Sequence, residues 1–277
     1  MTGTAVVTGA GRGIGRTITD RLCREGWTVY ATARSDAHMQ ELSQLDRVVP
    51  IRVDITDDDA GEVLTENVPA RIDALINNAG YALTGPLETV SADQLMSQLA
   101  TNVVGHHRVT RALLPNLRAN ENENAGRIVF ISSLSGLFAI PGNGAYTASK
   151  YAVEGLADTL RMELRRWSIG VSLIEPGTTR TDIWTGMSND FDATVAQWSD
   201  RDKDLYRPAT DKMRRLIPLL QRSAVAPERV ADATLRALTD KRPRRRYRCD
   251  LASRVQIHAM ALTPATVTDR LLARALA

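Results

Sequence analysis

Short apolar runs alternate with longer amphipathic stretches from the start of the chain to Ile174. A run of four or five apolar, often β-branched residues is typical of a strand buried on both faces, and an amphipathic stretch of helical period is typical of a helix that covers it. The runs predict six strands, at Ala5–Thr8, Thr28–Thr32, Val49–Val53, Ala74–Ile76, Arg127–Ile131 and Val171–Ile174. This alternation predicts an α/β fold in which a doubly wound parallel sheet is flanked by helices on both faces.

Local polar signals indicate where two of the helices begin. Thr56 followed by Asp59, and Ser91 followed by Gln94, match the capping box, in which a side chain at each end bonds a free N–H group of the first turn. We therefore predict helices that start just after Thr56 and Ser91. Pro115 is expected near the end of the second one.

The strand–helix alternation ends after Ile174. Residues 184–222 are helical in character, Pro227 is expected to begin a helix, and Arg246–Cys249 is a candidate short strand. The last 25 residues predict one or two amphipathic helices broken at Pro264, and thus a helical C-terminal extension. Because no Gly/Ser/Pro linker divides the chain, we predict one domain over residues 1–277.

The composition excludes several classes of protein. With 43% hydrophobic and 24% charged residues, the chain can bury a full core and is neither disordered nor membrane-embedded. Its first residues lead directly into a strand, with no charged leader or cleavage site, so we expect a cytoplasmic protein. Cys23 and Cys249 offer neither a disulfide framework nor a metal site and are expected to be small buried residues.

The net charge of +3 is unevenly distributed. Residues 1–200 have 17 Lys and Arg against 24 Asp and Glu, whereas residues 201–277 have 18 against 8. A basic C-terminal part is compatible with binding to nucleic acid or to an anionic membrane surface, and also with a solvated helical face and an Arg-rich turn. Because no aromatic residues interleave the basic run as stacking platforms would, we expect no nucleic-acid partner.

The first predicted strand leads into a glycine-rich loop, Thr8-Gly9-Ala10-Gly11-Arg12-Gly13-Ile14-Gly15, which a helix follows. Glycines let the backbone turn tightly and approach a pyrophosphate, and the helix N-terminus then presents free N–H groups and a partial positive charge. The spacing is T-G-x-x-x-G-x-G, not the general G-x-G-x-x-G. The loop predicts a dinucleotide site; a glycine-rich turn without a ligand is the alternative.

A second group of polar residues follows the fifth predicted strand. Tyr146 and Lys150 lie four residues apart, which places them on one face of a helix. A free tyrosine has a pKa near 10, and a nearby ammonium favours the phenolate, so the pair is a candidate proton donor and acceptor for an alcohol or carbonyl. Ser133, thirteen residues upstream of Tyr146, could hold a hydroxyl against the reacting oxygen.

Together these features resemble the short-chain dehydrogenase/reductase superfamily. The resemblance covers residues 3–182 and implies a Rossmann-type sheet. It rests on the loop Thr8–Gly15, N-N-A-G at Asn77–Gly80, a helix with Asn102, I-S-S at Ile131–Ser133, Y-x-x-x-K at Tyr146–Lys150 and P-G-x-x-x-T at Pro176–Thr181.

The resemblance implies roles for four side chains. Tyr146 would be the general acid/base, and Lys150 would lower its pKa and hydrogen-bond the nicotinamide ribose. Ser133 would hydrogen-bond the substrate oxygen and stabilise its developing charge. Asn102 would hold a water molecule that links Lys150 to solvent.

It also implies a nicotinamide cofactor, with Asp54 at the adenine edge and the Pro176–Thr181 turn on the carboxamide. The expected cofactor-binding residues are Gly9, Arg12, Gly13, Ile14, Gly15, Arg34, Asp54, Ile55, Asn78, Ala79, Gly80, Tyr146, Lys150, Pro176, Gly177, Thr179 and Thr181.

Arg34 predicts that the cofactor is NADP(H) rather than NAD(H). A site for NAD has Asp or Glu about 20 residues past the glycine loop, where it accepts from the ribose 2′-hydroxyl. Here that place is taken by Arg34, which could clamp a 2′-phosphate with Arg12 opposite. In the alternative, Arg34 is a solvated strand-end residue and Asp36 bonds the ribose.

The expected reaction is interconversion of a lipophilic ketone and a secondary alcohol. Apolar residues near the reacting centre indicate a lipophilic substrate, namely Leu83, Leu134, Leu137, Phe138, Ile140 and Trp184. The second strand and the basic C-terminus look like the branch that contains hydroxysteroid and retinol dehydrogenases. Members of the family usually pair through the helices bearing Asn102 and Tyr146, so a homodimer or homotetramer is expected.

The resemblance also divides the single domain. The core would be residues 3–182, the substrate lid about 183–225 and the C-terminal extension about 240–277. Trp184 and Trp198 belong either to the core or to that lid.

Other interpretations remain open. The chain could be a non-catalytic NADP(H)-binding redox sensor, although such a sensor has no need of a proton relay. It could also attach to anionic lipid through Arg242–Arg248 and the helix after it. A serine hydrolase is excluded because Ser133 does not lie in G-x-S-x-G. His106 and His107 diverge by about 100° on a helix, so we expect structural or surface roles rather than a shared metal.

Overall fold

The computed structural model describes residues 2–119, 126–180 and 191–250, apart from the side chains of 219–223, and also residues 255, 257, 259–260, 263–264 and 266–270. Trp184, expected either in the core or in the lid, and most of the last 25 residues lie outside this part of the chain.

Seven parallel strands form one sheet in the order β3-β2-β1-β4-β5-β6-β7. They are β1 (Thr4–Val7), β2 (Thr28–Ala33), β3 (Val48–Arg52), β4 (Ala74–Asn77), β5 (Arg127–Ile131), β6 (Gly170–Glu175) and β7 (Arg246–Arg248). The six strands predicted from apolar runs are all present, within one or two residues of their expected ends. The doubly wound architecture predicted from the sequence is confirmed.

The central strands are apolar on both faces because helices cover both sides of the sheet. In β1, Ala5 and Val7 belong to one buried cluster and Val6 belongs to the other. Every residue of β4 is buried, which agrees with the near-continuous apolar run that predicted it.

The helices are α1 (Gly13–Arg24), α2 (Asp36–Ser43), α3 (Ala60–Asn67), α4 (Ala92–Leu99), α5 (His106–Arg118), α6 (Gly144–Glu163), a helical segment α7 at 191–196, α8 (Asp200–Ser223) and α9 (Pro227–Thr239). α1 packs against α9, and α3 packs against α5. A π-helical segment, Ala100–Gly105, joins α4 to α5, so one continuous helix runs past Pro115 to Arg118.

One of the two predicted capping boxes is correct. Ser91 accepts from Gln94 N and donates its own backbone N–H to the Gln94 side chain. The box at Thr56 is wrong, because α3 starts only at Ala60. The backbone N–H and hydroxyl of Thr56 both donate to Asp54 Oδ1, at 2.9 and 2.7 Å. Thr56 therefore belongs to a turn with Asp54 just after β3.

The C-terminal part adds an edge strand to the sheet. β7 pairs in parallel with β6, one residue shorter than predicted. Cys249 is buried, but Cys23 is only half-buried, so the expectation of two buried thiols is half wrong. Over the described residues no helix combines the length and apolar character needed to cross a membrane.

Candidate active site

The carboxyl ends of parallel strands meet at one edge of the sheet, and the predicted site residues follow those ends. Gly9 to Gly15 come after β1, Arg34 after β2, Asp54 and Ile55 after β3, Asn78 to Gly80 after β4, Ser133 after β5 and Pro176 to Thr179 after β6. The topology therefore brings residues from six separate segments to the same edge.

The backbone of the glycine loop could hold a phosphate group. Gly9 and Gly13 have positive φ values of 64° and 57°, which a side chain would strain. A Cβ on Gly15 would lie 2.2 Å from Gly9 O, so only glycine fits there. Arg12 precedes α1 without capping it through its side chain, and the first turn has no acidic residue. The free N–H groups of this turn therefore fit a nucleotide pyrophosphate.

Asn78 ties the glycine loop to the end of β4. Its Nδ2 donates to Thr8 O at 2.9 Å and to Gly9 O at 3.1 Å. Thr8 Oγ1 in turn accepts from the N–H groups of Asn78 (2.9 Å) and Ala79 (3.1 Å). Two motifs seventy residues apart thus form one hydrogen-bonded unit.

The predicted adenine end contains exposed ion pairs. Arg34 Nη1 lies 2.9 Å from Asp54 Oδ2, and 74% of the Arg34 side chain is exposed. Burial opposes the ionised form of Asp54, but the Thr56 N–H and the Arg34 guanidinium bond it and lower the Asp54 pKa. Asp36 pairs with Arg52 instead.

A cavity of about 320 Å³ opens at this end of the sheet. Arg34, Arg52, Val53, Asp54, Asp57, Asp59 and Val63 line it. Ile55, also predicted to bind cofactor, is buried. It packs closely against Gly105, where an added Cβ would lie 2.7 Å from Ile55 Cδ1.

Tyr146, Lys150 and Ser133 come together beneath the ends of β5 and β6. Lys150 is almost fully buried and donates from Nζ to Ile131 O at 2.7 Å; this Nζ lies 5.5 Å from the centre of the Tyr146 ring. The Ser133 hydroxyl lies near that of Tyr146 and favours its ionised form. The spacing of these residues in the sequence therefore reflects a real spatial group.

Burial dominates the acid–base properties of this group. It raises the pKa of Tyr146 to about 12, although the nearby Ser133 hydroxyl opposes this, and it lowers the pKa of Lys150 to about 8 against the opposing carboxylate of Glu154. The Lys150 ammonium donates to Ile131 O, and the expected lowering of the Tyr146 pKa by Lys150 stays a prediction.

Hydrogen bonds fix the Pro176 turn internally and to the turn after Ser133. Leu134 N donates to Pro176 O at 3.1 Å, and Thr179 Oγ1 donates to Gly177 O at 3.1 Å. Thr179 also bridges to Val225, just before α9. Thr181, predicted to bind cofactor, lies outside the described residues.

Asn102 lies in the π-helical segment, a geometry often found at functional sites. Its Nδ2 donates to Tyr81 O and to Ser149 Oγ, both at 3.0 Å, and its Oδ1 accepts from Tyr81 N at 3.1 Å. Asn102 therefore joins the segment after β4 to helix α6. The predicted water link to Lys150 stays a prediction.

Asn102 belongs to a row of four buried polar residues that sequence reasoning did not group. Gln98 Oε1 accepts from Leu83 N at 2.7 Å, and Gln98 Nε2 donates to Tyr81 O at 2.8 Å. His106 Nε2 lies 2.6 Å from Ala79 O. Thr110 Oγ1 accepts from Asn77 Nδ2 at 2.8 Å. We name this row the polar ladder: Gln98, Asn102, His106 and Thr110. Its spacing of four residues in one helix is the signal that could have revealed it.

The ladder holds the segment from Asn77 to Leu83, which borders the glycine loop. His106 is completely buried, and desolvation, with the Lys150 charge, lowers its pKa to about 3. It is thus a neutral structural histidine, as expected, whereas His107 is exposed. Over the described residues, no cluster of three or more His, Cys, Asp or Glu could hold a metal ion.

Apolar residues surround the turn after Ser133. Leu134 is buried, and Leu83, Leu137, Phe138 and Ile140 are partly buried. Trp198, expected either in the core or in the lid, is 7% exposed. It packs against Gly85, where an added Cβ would lie 3.3 Å from the Trp198 ring. Its ring also meets Tyr206 edge-on at 6.2 Å.

Three curated proteins are similar over most of their length. An uncharacterised oxidoreductase of Escherichia coli K12, YbbO, is 33% identical, over 98% of this chain and 94% of the relative. An NADPH-dependent 3-dehydrocapnine reductase of Ornithobacterium rhinotracheale is 30% identical, over 96% and 95%. A 3-ketodihydrosphingosine reductase of Bacteroides thetaiotaomicron is 29% identical, over 86% and 84%.

A solved structure gives the same result. A short-chain dehydrogenase/reductase from Burkholderia phymatum in complex with NAD has a TM-score of 0.77 and 25% identity, over 92% of this chain and 91% of that one. The family model for short chain dehydrogenases matches residues 3–191, which is well over half of the chain. The protein therefore belongs to the short-chain dehydrogenase/reductase family of oxidoreductases.

Proposed function

We propose that this oxidoreductase interconverts a lipophilic ketone and a secondary alcohol with a nicotinamide cofactor, and that Tyr146 is its general acid/base. The observation that carries the proposal is the group of Ser133, Tyr146 and Lys150 at the same sheet edge as the glycine loop. A phosphate-binding turn and a proton-transfer group at one edge fit a dinucleotide-dependent reaction at an oxygen.

A bound nicotinamide supplies the hydride for reduction and accepts it in oxidation. The chain provides the rest. Tyr146, with its pKa raised to about 12, keeps its proton at neutral pH and donates it to the carbonyl oxygen, while the Ser133 hydroxyl bonds the same oxygen. Lys150 contributes a buried ammonium whose charge is lost above about pH 8. Reduction should therefore decline above that pH.

Two observations support a lipophilic ketone as the substrate. Leu137, Phe138 and Ile140 lie in the segment after Ser133 and are only partly buried, so they offer apolar surface near the reacting group. Two relatives are named as reductases of a 3-keto and a 3-dehydro compound. We assign the chain to ketone reduction on this basis, and keep the hydroxysteroid and retinol branch as a prediction.

Replacement of Tyr146 tests the chemical role. Tyr146→Phe should lower turnover by about 10²- to 10⁴-fold, because the reacting oxygen loses its proton donor. Binding of reduced cofactor, followed by fluorescence, should be retained. Tyr151→Phe is the matched control, since Tyr151 lies on the same helix and is 46% exposed.

Turnover of Tyr146→Phe within about threefold of wild type would exclude Tyr146 as the acid. Full cofactor binding by the wild type, with no turnover on a panel of lipophilic ketones and alcohols, would favour a redox sensor.

We further propose that NADP(H) is preferred over NAD(H). Arg34 is largely exposed at the end of β2, where a 2′-phosphate could replace Asp54 as its partner. A hydrogen bond to a charged group contributes roughly 1.5–3 kcal/mol. Arg34→Ala should therefore weaken NADPH binding by about 10- to 100-fold, and NADH binding very little.

Titration of wild type and Arg34→Ala with both reduced cofactors measures this preference. Equal losses for NADPH and NADH would contradict it, as would a wild type that prefers NADH. Asp36→Ala tests the alternative in which Asp36, and not Arg34, contacts the cofactor. This variant should weaken NADH binding only if Asp36 bonds the ribose.

We also infer a homodimer or homotetramer. Large apolar side chains are exposed on the helices that bear Asn102 and Tyr146, namely Met96, Val104, Tyr151 and Met162. Light scattering after size-exclusion chromatography decides this, since a monomeric mass would contradict it.

A further inference from the structure

Strand β7 places an arginine among carboxylates of α6 and β6. The Arg246 guanidinium lies 2.9 Å from Glu154 (Nη2 to Oε2), 2.7 Å from Asp158 (Nη2 to Oδ2) and 2.9 Å from Glu175 (Nε to Oε1). Arg248 adds a contact of 3.4 Å to Glu175. We name these five residues the arginine–carboxylate cluster. It joins the C-terminal strand to helix α6.

The cluster is largely withdrawn from water. The Glu175 side chain has no exposed surface, and those of Glu154 and Arg246 are 8% and 29% exposed. Removing charges from water costs several kcal/mol for each ion, so a buried pair is weak evidence for stability alone. The function of the cluster is therefore better judged from the residues it contacts than from its contribution to the stability of the fold.

The cluster borders both Lys150 and the turn that carries Ser133. Glu154 lies one helical turn after Lys150, so the two side chains share a face of α6. Gly136 lies in the turn after Ser133 and lets this turn pack closely against the same part of α6. A Cβ there would lie 3.0 Å from Glu154 Cγ and 3.1 Å from Lys150 O.

The titratable groups around Lys150 come from two helices. Tyr146 and Glu154 lie on α6, and His106 approaches from α5. Burial keeps His106 neutral, with a pKa of about 3, and keeps the proton on Tyr146, with a pKa of about 12. Among these neighbours, Glu154 is thus the one that offers Lys150 a negative charge. The charged groups that face Glu154 in turn are Asp158, Glu175 and Arg246.

We propose that Glu154 and Arg246 are positioning residues for Lys150, with Arg246 keeping Glu154 ionised and the Glu154 carboxylate, one turn along the same face of α6, favouring the charged form of Lys150 beside Tyr146. This rests on the proposed function, in which Lys150 acts as an ammonium. Burial and the neighbouring Asp158 favour the protonated form of Glu154, and Arg246 opposes both. Loss of either partner should therefore remove negative charge from Lys150.

Lysine NMR of the cofactor-free protein tests this directly. The chain has four lysines, Lys150, Lys203, Lys212 and Lys241, so a sample with ¹³Cε-labelled lysine gives few signals, and Lys150→Met assigns the one of interest. We expect the Lys150 pKa to fall by about one pH unit in Glu154→Gln and to fall in Arg246→Gln.

The double variant tests whether the two residues act in series. Glu154→Gln/Arg246→Gln should lower the Lys150 pKa no further than Glu154→Gln alone, because Arg246 acts through Glu154. Asp158→Asn is the matched control, since it removes a negative charge from the same cluster one turn further from Lys150, and it should not lower the Lys150 pKa. In the enzyme assay, the decline of kcat/KM for reduction should move to lower pH by the same amount.

An unchanged Lys150 titration in Glu154→Gln would overturn the proposal, and a rise in Arg246→Gln or an additive double variant would overturn the role of Arg246. Should Glu154→Gln not fold, Glu154→Asp retains the charge at a greater distance and should produce a smaller fall. No change in Glu154→Asp would then be decisive against it. An active Tyr146→Phe enzyme would instead refute the proposed function, and leaves the Lys150 titration in the cofactor-free chain readable.

Discussion

Two buried polar groups border helix α6, and they are built on different principles. The polar ladder uses neutral side chains of α4, α5 and the π-helical segment between them to hold the backbone from Asn77 to Leu83. The arginine–carboxylate cluster uses full charges from α6, β6 and β7. One contacts α6 at Ser149, and the other begins at Glu154.

The difference concerns what each group can do when the pH changes. Neutral hydrogen bonds fix a backbone segment without adding charge beside Lys150. Carboxylates and guanidinium groups fix side chains and at the same time set the electrostatic potential. We infer that the ladder supplies geometry and the cluster supplies charge.

Replacement of one residue of the polar ladder should have the largest effect on stability. Gln98→Leu leaves Leu83 N without its partner, which costs about 1–3 kcal/mol, and removes one of the two hydrogen bonds to Tyr81 O, which costs about 0.5–1.5 kcal/mol while Asn102 keeps the other. The free energy of unfolding in urea should fall by about 1.5–4.5 kcal/mol. Ser97→Ala, at an exposed position of the same helix, is the control. A loss no larger than that of the control would show that the ladder does not hold this segment.

His106 should make the ladder sensitive to acid. Its pKa falls from 6.5 to about 3 on folding, so the unfolded chain binds the proton first and stability is lost as the pH falls from 6.5 towards 3. The loss should reach about 2–3 kcal/mol by about pH 4.5, at 1.4 kcal/mol per unit.

His106→Gln, which retains a donor, should flatten this dependence in urea unfolding between pH 4.5 and 7. The exposed neighbour provides the comparison, because His107→Gln should keep the wild-type slope. Equal slopes for wild type and His106→Gln would contradict the buried neutral imidazole.

Glu175 should give the cluster the opposite, smaller dependence. Burial and the Glu154 carboxylate raise its pKa from 4.5 to about 7, so its contribution is present below pH 4.5 and is lost as the pH rises through 7. The stability of wild type relative to Glu175→Gln should fall by about 1–2 kcal/mol between about pH 5 and 6.5.

Asp158→Asn provides the control for Glu175, because a pKa lowered below 3.8 keeps Asp158 ionised throughout that range. Thermal unfolding of the three proteins in matched buffers measures the difference. A wild type that gains stability relative to Glu175→Gln on going to higher pH would show that the arginines outweigh burial.

Sequence reasoning succeeded where a signal is local. The apolar runs predicted the strands of the parallel sheet, and Ser91 with Gln94 predicted the start of α4. It failed at Thr56, because two bonds to Asp54 compete with a capping role, and local spacing does not show which partner wins.

The sequence by itself determined the sheet, the glycine loop and the spacing that groups Ser133 with Tyr146 and Lys150, because each depends on local geometry or on the rule that parallel strands end at one edge. The tertiary structure alone decided which charges are buried and with whom they pair. Arg246 and Arg248 belong to the basic stretch that suggested a solvated turn or a lipid surface, yet they bond carboxylates of α6 and β6. Desolvation and long-range pairing depend on the whole packed fold, which no spacing of residues along the chain records.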